Sequence, residues 1–115
     1  MNVICLQNVL VNILLAIFAF SISVNAFAAD EAAAKSLLKK SKCFSCHSID
    51  KKKDGPSYKK VAEKYRGDTE AKSKLIKHLT VPSLIEVDGY IEEHGIVKTR
   101  DSDKIMNLVE WILLL

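Results

Sequence analysis

Five consecutive residues, Cys43-Phe44-Ser45-Cys46-His47, set two thiols three positions apart with an imidazole directly after the second. Thiols about one helical turn apart can both reach the edge of one flat macrocycle. An imidazole that follows at once is then delivered to one of its faces. This is the spacing by which a c-type haem is attached, with thioethers from Cys43 and Cys46 and with His47 as an axial ligand of the iron. Two other chemistries use a CxxC pair. A zinc knuckle needs further ligands at recognisable spacing, and the chain has no second cysteine pair. A thioredoxin-type dithiol belongs to a βαβ setting, which this lysine-rich, helically patterned chain does not offer. Motif and surroundings agree on haem.

The elements that position this motif must come from a short chain. It has 115 residues and a formal net charge of +3, enough for one domain. Of its three cysteines, Cys5 lies in a leading apolar segment, so the folded part keeps only the motif pair and a disulfide scaffold is excluded. Residues 29–115 can bury only a modest core by themselves, and a large, mostly apolar haem would complete it. A nucleic-acid partner is not expected: the charge is modest, and basic and aromatic residues are not interleaved.

Residues 1–28 read as a signal peptide. Val9 to Phe20 is an apolar run broken only by Asn12, and Ala26-Phe27-Ala28 is a small-x-small cleavage signature. Met1 to Asn8 carries no Lys or Arg, which departs from the usual pattern. The alternative is an uncleaved anchor, because Val3 to Ala28 is long enough to span a bilayer. Both readings put residues 29–115 outside the cytoplasm, in the periplasm, with membrane attachment only if the segment stays on.

Within 29–115 the pattern predicts four helices. Asp30-Glu31 opens the first, which carries Leu37 and Leu38 and runs into the CxxCH. Lys51 to Pro56 is a charged loop closed by a Gly-Pro turn. Ser57 to Arg66 is a second helix, with Tyr58, Val61, Ala62 and Tyr65 on one face. Asp68 caps a third that reaches about Leu79, with Leu75, Ile76 and Leu79 inward. Val81 to Arg100 has no steady period and contains Pro82, Gly89 and Gly95, so a long loop is expected. Asp101 or Ser102 caps the last helix, whose stripe is Ile105, Leu108, Val109 and Ile112.

Taken together, these segments resemble class I cytochrome c. The CxxCH near the start of the mature chain, Gly55-Pro56-Ser57-Tyr58 beginning eight residues after His47, and Trp111 in a terminal helix carry the likeness. It is to small bacterial cytochromes of the c551 kind, through LLKKSKCFSCHSID, GPSYKKVAEKY and NLVEWIL, and covers nearly all of residues 30–115. The resemblance implies an all-α class I cytochrome c fold: about four short helices wrapped around one covalent haem, the first and last packed crosswise. It implies His47 as proximal ligand and the Pro56 carbonyl as acceptor of its ring N–H, a bond that fixes the tautomer and raises ligand basicity. The implied role is carrying single electrons, not enzymatic turnover.

The second axial ligand is where the chain departs from that family. Its members usually supply a Met from the loop before the last helix, and Val81 to Arg100 contains none. Met106 lies inside the last helix, only five residues before Trp111, whereas His94 stands seventeen before it, near the family's Met position. His94 is therefore expected as the distal ligand, with His78, Met106 or an open site as alternatives. An imidazole donates more strongly than a thioether and favours Fe(III), so a lower potential than in Met-ligated members is expected. An iron closed on both faces points to an electron carrier. An open distal site would instead make a small peroxidase or gas sensor, and an uncleaved leader a membrane-tethered haem module of a larger redox complex.

Charge is unevenly placed. Lys35 to Arg66 holds ten Lys and one Arg against Asp50, Asp54 and Glu63, while Glu86 to Glu110 holds seven acids against Lys98, Arg100 and Lys104. Lys39, Lys40, Lys42, Lys51, Lys52, Lys53, Lys59 and Lys60 are expected to rim the haem edge and steer a monomeric carrier onto redox partners with acidic docking surfaces. The same lysines also serve solubility. Lys74 and Lys77 are the cations expected to meet a haem propionate.

Overall fold

The computed structural model describes Val3 and residues 28–115. The expected leader therefore lies almost wholly outside the described residues. Among them, no helix is long and apolar enough to cross a membrane.

Helix α1, Glu31–Lys40, is capped by Asp30, whose carboxylate accepts the Ala33 N–H at 2.9 Å. A 3-10 turn follows over Cys43–Ser45, then α2 at Tyr58–Lys64, α3 at Ala71–Thr80, strands β1 at Ser83–Val87 and β2 at Tyr90–His94, and α4 at Ser102–Leu113. The four helices match the expected number, with bounds shifted by local hydrogen bonding. Helix α1 stops before the motif instead of running into it. Ser57 is the N-cap of α2, its hydroxyl accepting from the Lys60 N–H. Asp68 accepts from the Glu70 N–H in the turn ahead of α3 and so stands outside that helix. Asp101 caps α4 through both the Asp103 and Lys104 N–H groups.

The core forms where α1, α2 and α3 all pack on α4. Leu38 from α1 and Leu108, Val109 and Ile112 from α4 are its most enclosed large side chains, each stabilising the fold by about 1.5–3 kcal/mol through burial. The expected α4 stripe is thus the central seam. Asn107 locks the crossing: its side chain accepts the Asp30 N–H at 2.7 Å and donates to the Asp30 carbonyl at 2.9 Å. Lys72 pairs with Glu110 at 2.6 Å, tying α3 to the same helix.

The segment read as a long loop is the correction. Ser83–Val87 and Tyr90–His94 form an antiparallel hairpin, with Val87 opposite Tyr90 and Ser83 opposite His94. Its turn residues Asp88 and Gly89 both have positive φ, 49° and 84°, as a two-residue type I′ turn requires. Asp-Gly between short runs rich in Leu, Ile and Val is a hairpin signal that the search for a helical period passes over.

Candidate haem site

Helix α1 ends in a reversal that aims the motif. Lys42 takes a left-handed conformation, φ 61°, uncommon for a residue with a side chain. The Lys42 N–H donates to the Lys39 carbonyl, and the Ser45 hydroxyl to the Lys42 carbonyl at 2.6 Å. The Cys43–Ser45 turn follows, and the His47 N–H closes onto the Cys43 carbonyl at 2.9 Å. Cys43 and Cys46 are both free thiols, the first half-buried and the second exposed. Burial pushes the Cys43 thiol up, while a hydrogen bond with Tyr58 pulls the other way.

His47 is held on two sides. Its Nδ1 lies 2.7 Å from the Pro56 carbonyl. A carbonyl can only accept, so Nδ1 carries the proton and Nε2 is left bare to ligate. The Gly55 N–H donates to the Cys46 carbonyl at 2.8 Å, and the Tyr58 and Lys59 N–H groups donate to the carbonyls of Ser48 and Ile49. These bonds lay residues 55–59 alongside the motif. A Cβ on Gly55 would sit 2.8 Å from Nδ1 and 2.9 Å from Nε2 of His47, closer than real Cβ contacts. Only glycine leaves room for the ring. Tyr58 stacks on the imidazole, centres 5.3 Å apart and planes at 25°, and meets Trp111 edge-on at 6.3 Å. Burial, followed by the charge of Cys43, drives the Tyr58 phenol upward in pKa.

His94 arrives from the far end of the chain. It closes β2, and its ring centre is 6.1 Å from that of His47, the planes at 70°. Its Nδ1 and the hydroxyl of Ser83, its cross-strand neighbour, are buried without a hydrogen-bond partner among the described residues. His78 of α3 lies against His94, centres 4.1 Å apart. Burial, then the neighbouring imidazoles, holds His94 below the usual histidine range. His78 shifts the same way, by burial first and then by His47 and Lys64. The neutral form, the one that binds metal, is thereby favoured.

The fold thus gathers Cys43, Cys46, His47, Pro56 and His94, with His78 beside the last. Met106 is exposed on the outer side of α4. The Lys74 ammonium is engaged by Asp68 at 2.6 Å, which raises Lys74 and lowers Asp68, and Lys77 is exposed on the same helix. The reading of the sequence missed the clearance at Gly55 and the stacking of Tyr58. The glycine directly before Pro56 was a signal for the first. The contact between His78 and His94 joins two separate elements and has no local signal.

Comparisons place these features in a family. A cytochrome c family model matches residues 31–113. The crystal structure of class 1 cytochrome MtoD from Sideroxydans lithotrophicus ES-1 is 52% identical, covers 76% of this chain and 97% of its own, and superposes with a TM-score of 0.72. Wild-type cytochrome c552 from Nitrosomonas europaea is 26% identical, covering 70% of this chain and 98% of its own, with a TM-score of 0.55. Cytochrome c-551 from Allochromatium vinosum is 50% identical over 40 residues, 35% of this chain, and that match spans only 43% of the relative's length. A covalent c-type haem, which the match implies, fits what is here. Cys43 and Cys46 are unpaired thiols, Nε2 of His47 is left bare by the bond at Nδ1, and a buried nitrogen on His94 has no hydrogen-bond partner among the described residues. The chain belongs to the cytochrome c family and has the class I fold.

Proposed function

We propose that this protein is an exported, single-haem electron carrier whose iron is ligated by His47 and His94. The observation that carries the reading is the approach of the two rings, centres 6.1 Å apart and planes at 70°. When bound, the haem supplies a one-electron iron couple.

The residues divide the remaining tasks. Cys43 and Cys46 anchor the macrocycle covalently. The Pro56 carbonyl keeps the proton on Nδ1 of His47 and makes Nε2 the donor. His94 would hold the iron as its second protein ligand, and in that role it would keep water and small oxidants away, which favours carriage over catalysis. Imidazole in place of a thioether sets the potential below that of Met-ligated relatives. Exposed lysines at 39, 40, 42, 51 and 52 border the motif and form no ion pair among the described residues. They steer partners with acidic docking surfaces. Cleavage after Ala28 and release into the periplasm complete the reading, and an intact Met1 on the exported protein would instead make it a tethered module.

Carbon monoxide added to the reduced protein tests this. A closed iron binds it slowly or not at all. Rapid binding would replace the carrier with a peroxidase or gas sensor built on the same fold.

A further inference from the structure

The hairpin presents two faces of opposite use. Cross-strand partners share a face, so Ser83, Ile85 and Val87 stand with His94, Glu92 and Tyr90. The other face carries Leu84 paired with Glu93 and Glu86 paired with Ile91. Leu84 is 75% exposed and Ile91 66%. This exposed aliphatic pair, rimmed by carboxylates, lies on the face away from His94 and is open to a partner. From Val81 to Val97 the chain has Glu86, Asp88, Glu92 and Glu93 and no Lys or Arg. Among the described residues none of the four is in an ion pair.

A complementary surface adjoins the base of the hairpin. A groove of about 680 Å³ is lined by Thr80, Ile96, Val97, Lys98, Arg100 and Ile105. Three aliphatic residues contribute to its lining, with Val97 and Ile105 buried and Ile96 40% exposed, and two cations stand at it. Neither Lys98 nor Arg100 is ion-paired among the described residues. The groove's position is fixed by the Val97 N–H on the Leu79 carbonyl at 2.9 Å and the Lys98 N–H on the Ser41 hydroxyl at 2.9 Å.

We propose that the protein self-associates weakly and reversibly as a two-fold dimer. In it the outer face of each hairpin, Leu84 and Ile91 with Glu86 and Glu93, lies in the groove of the second copy against Lys98 and Arg100. The chain itself supplies the occupant, because it carries both an acid-rimmed apolar ridge and a base-rimmed apolar groove, contiguous in sequence. Two-fold symmetry makes each such contact twice, and matched charge speeds encounter without locking the pair. Under this proposal the monomer expected from the sequence exchanges with a dimer. It does not depend on which residue ligates the iron.

Sedimentation velocity of the haem-loaded protein across rising concentration at low salt tests it, beside Glu86→Lys/Glu93→Lys and Lys98→Glu/Arg100→Glu. The wild type shows a concentration-dependent shift towards the dimer that salt reverses, and each variant alone associates at least about tenfold more weakly. Mixing the two variants restores association, because each reversed ridge now meets a reversed groove. The haem spectrum confirms that each variant is folded. A wild type that stays monomeric to millimolar concentration overturns the proposal, and so does a mixture that associates no better than its components.

Discussion

The two histidines that face one another are held in opposite ways. His47 sits in a local web: its ring bonds to Pro56 nine residues away, packs on Gly55 and Tyr58, and follows directly from the cysteines. His94 hangs from the end of a two-stranded hairpin with a solvent-facing outer side, and one of its nitrogens lacks a partner. An isolated two-stranded hairpin is marginal in water. The half around His47 is thus prearranged by the protein, while the half around His94 keeps a buried nitrogen that the described residues leave without a partner, and under the proposed ligation the iron would complete it.

Breaking the covalent anchor gives the largest effect. Cys43→Ser/Cys46→Ser removes the thioethers, and the exported protein carries no covalent haem mass by intact-protein mass spectrometry. Next is the seam that positions the proximal half. Leu108→Ala empties a fully buried site on α4 and costs about 2–5 kcal/mol in denaturant unfolding, whereas Leu84→Ala on the exposed hairpin stays within about 0.5 kcal/mol. Gly55→Ala sharpens the contrast further. Its methyl forces the His47 ring aside, with a loss of about 1–3 kcal/mol and a shifted haem spectrum, both measured on the loaded protein.

Acid gives the smallest effect and acts on the distal half. His78 and His94 are held below their ordinary value of 6.5, so the native state disfavours their protonation. Their contribution is fully present above about pH 6.5 and is lost as pH falls through that value towards their native values. In the haem-free protein, unfolding midpoints should therefore drop between pH 7 and pH 5, and drop less in His78→Gln.

What the sequence made legible follows the same division. The CxxCH, the Gly-Pro turn, the α4 stripe and the Asp101 cap are local patterns, and each lies where its spacing put it. The hairpin was hidden because its alternation is short and broken by Glu92-Glu93, with Pro82 just ahead of it, although Asp88-Gly89 announced the turn. The nearness of His94 to His47 was legible only through likeness to a family. Nothing local in residues 81–97 says which face of the hairpin turns inward, because register and the packing of α3 decide that.

The direct test of the central claim is the red-region absorption of the oxidised protein, recorded for wild type beside His94→Ala and Met106→Ala. Paired imidazoles give a low-spin spectrum without a methionine–iron charge-transfer band, which His94→Ala disrupts and Met106→Ala leaves untouched. A methionine band in the wild type, or a spectrum that responds only to Met106→Ala, would contradict the account.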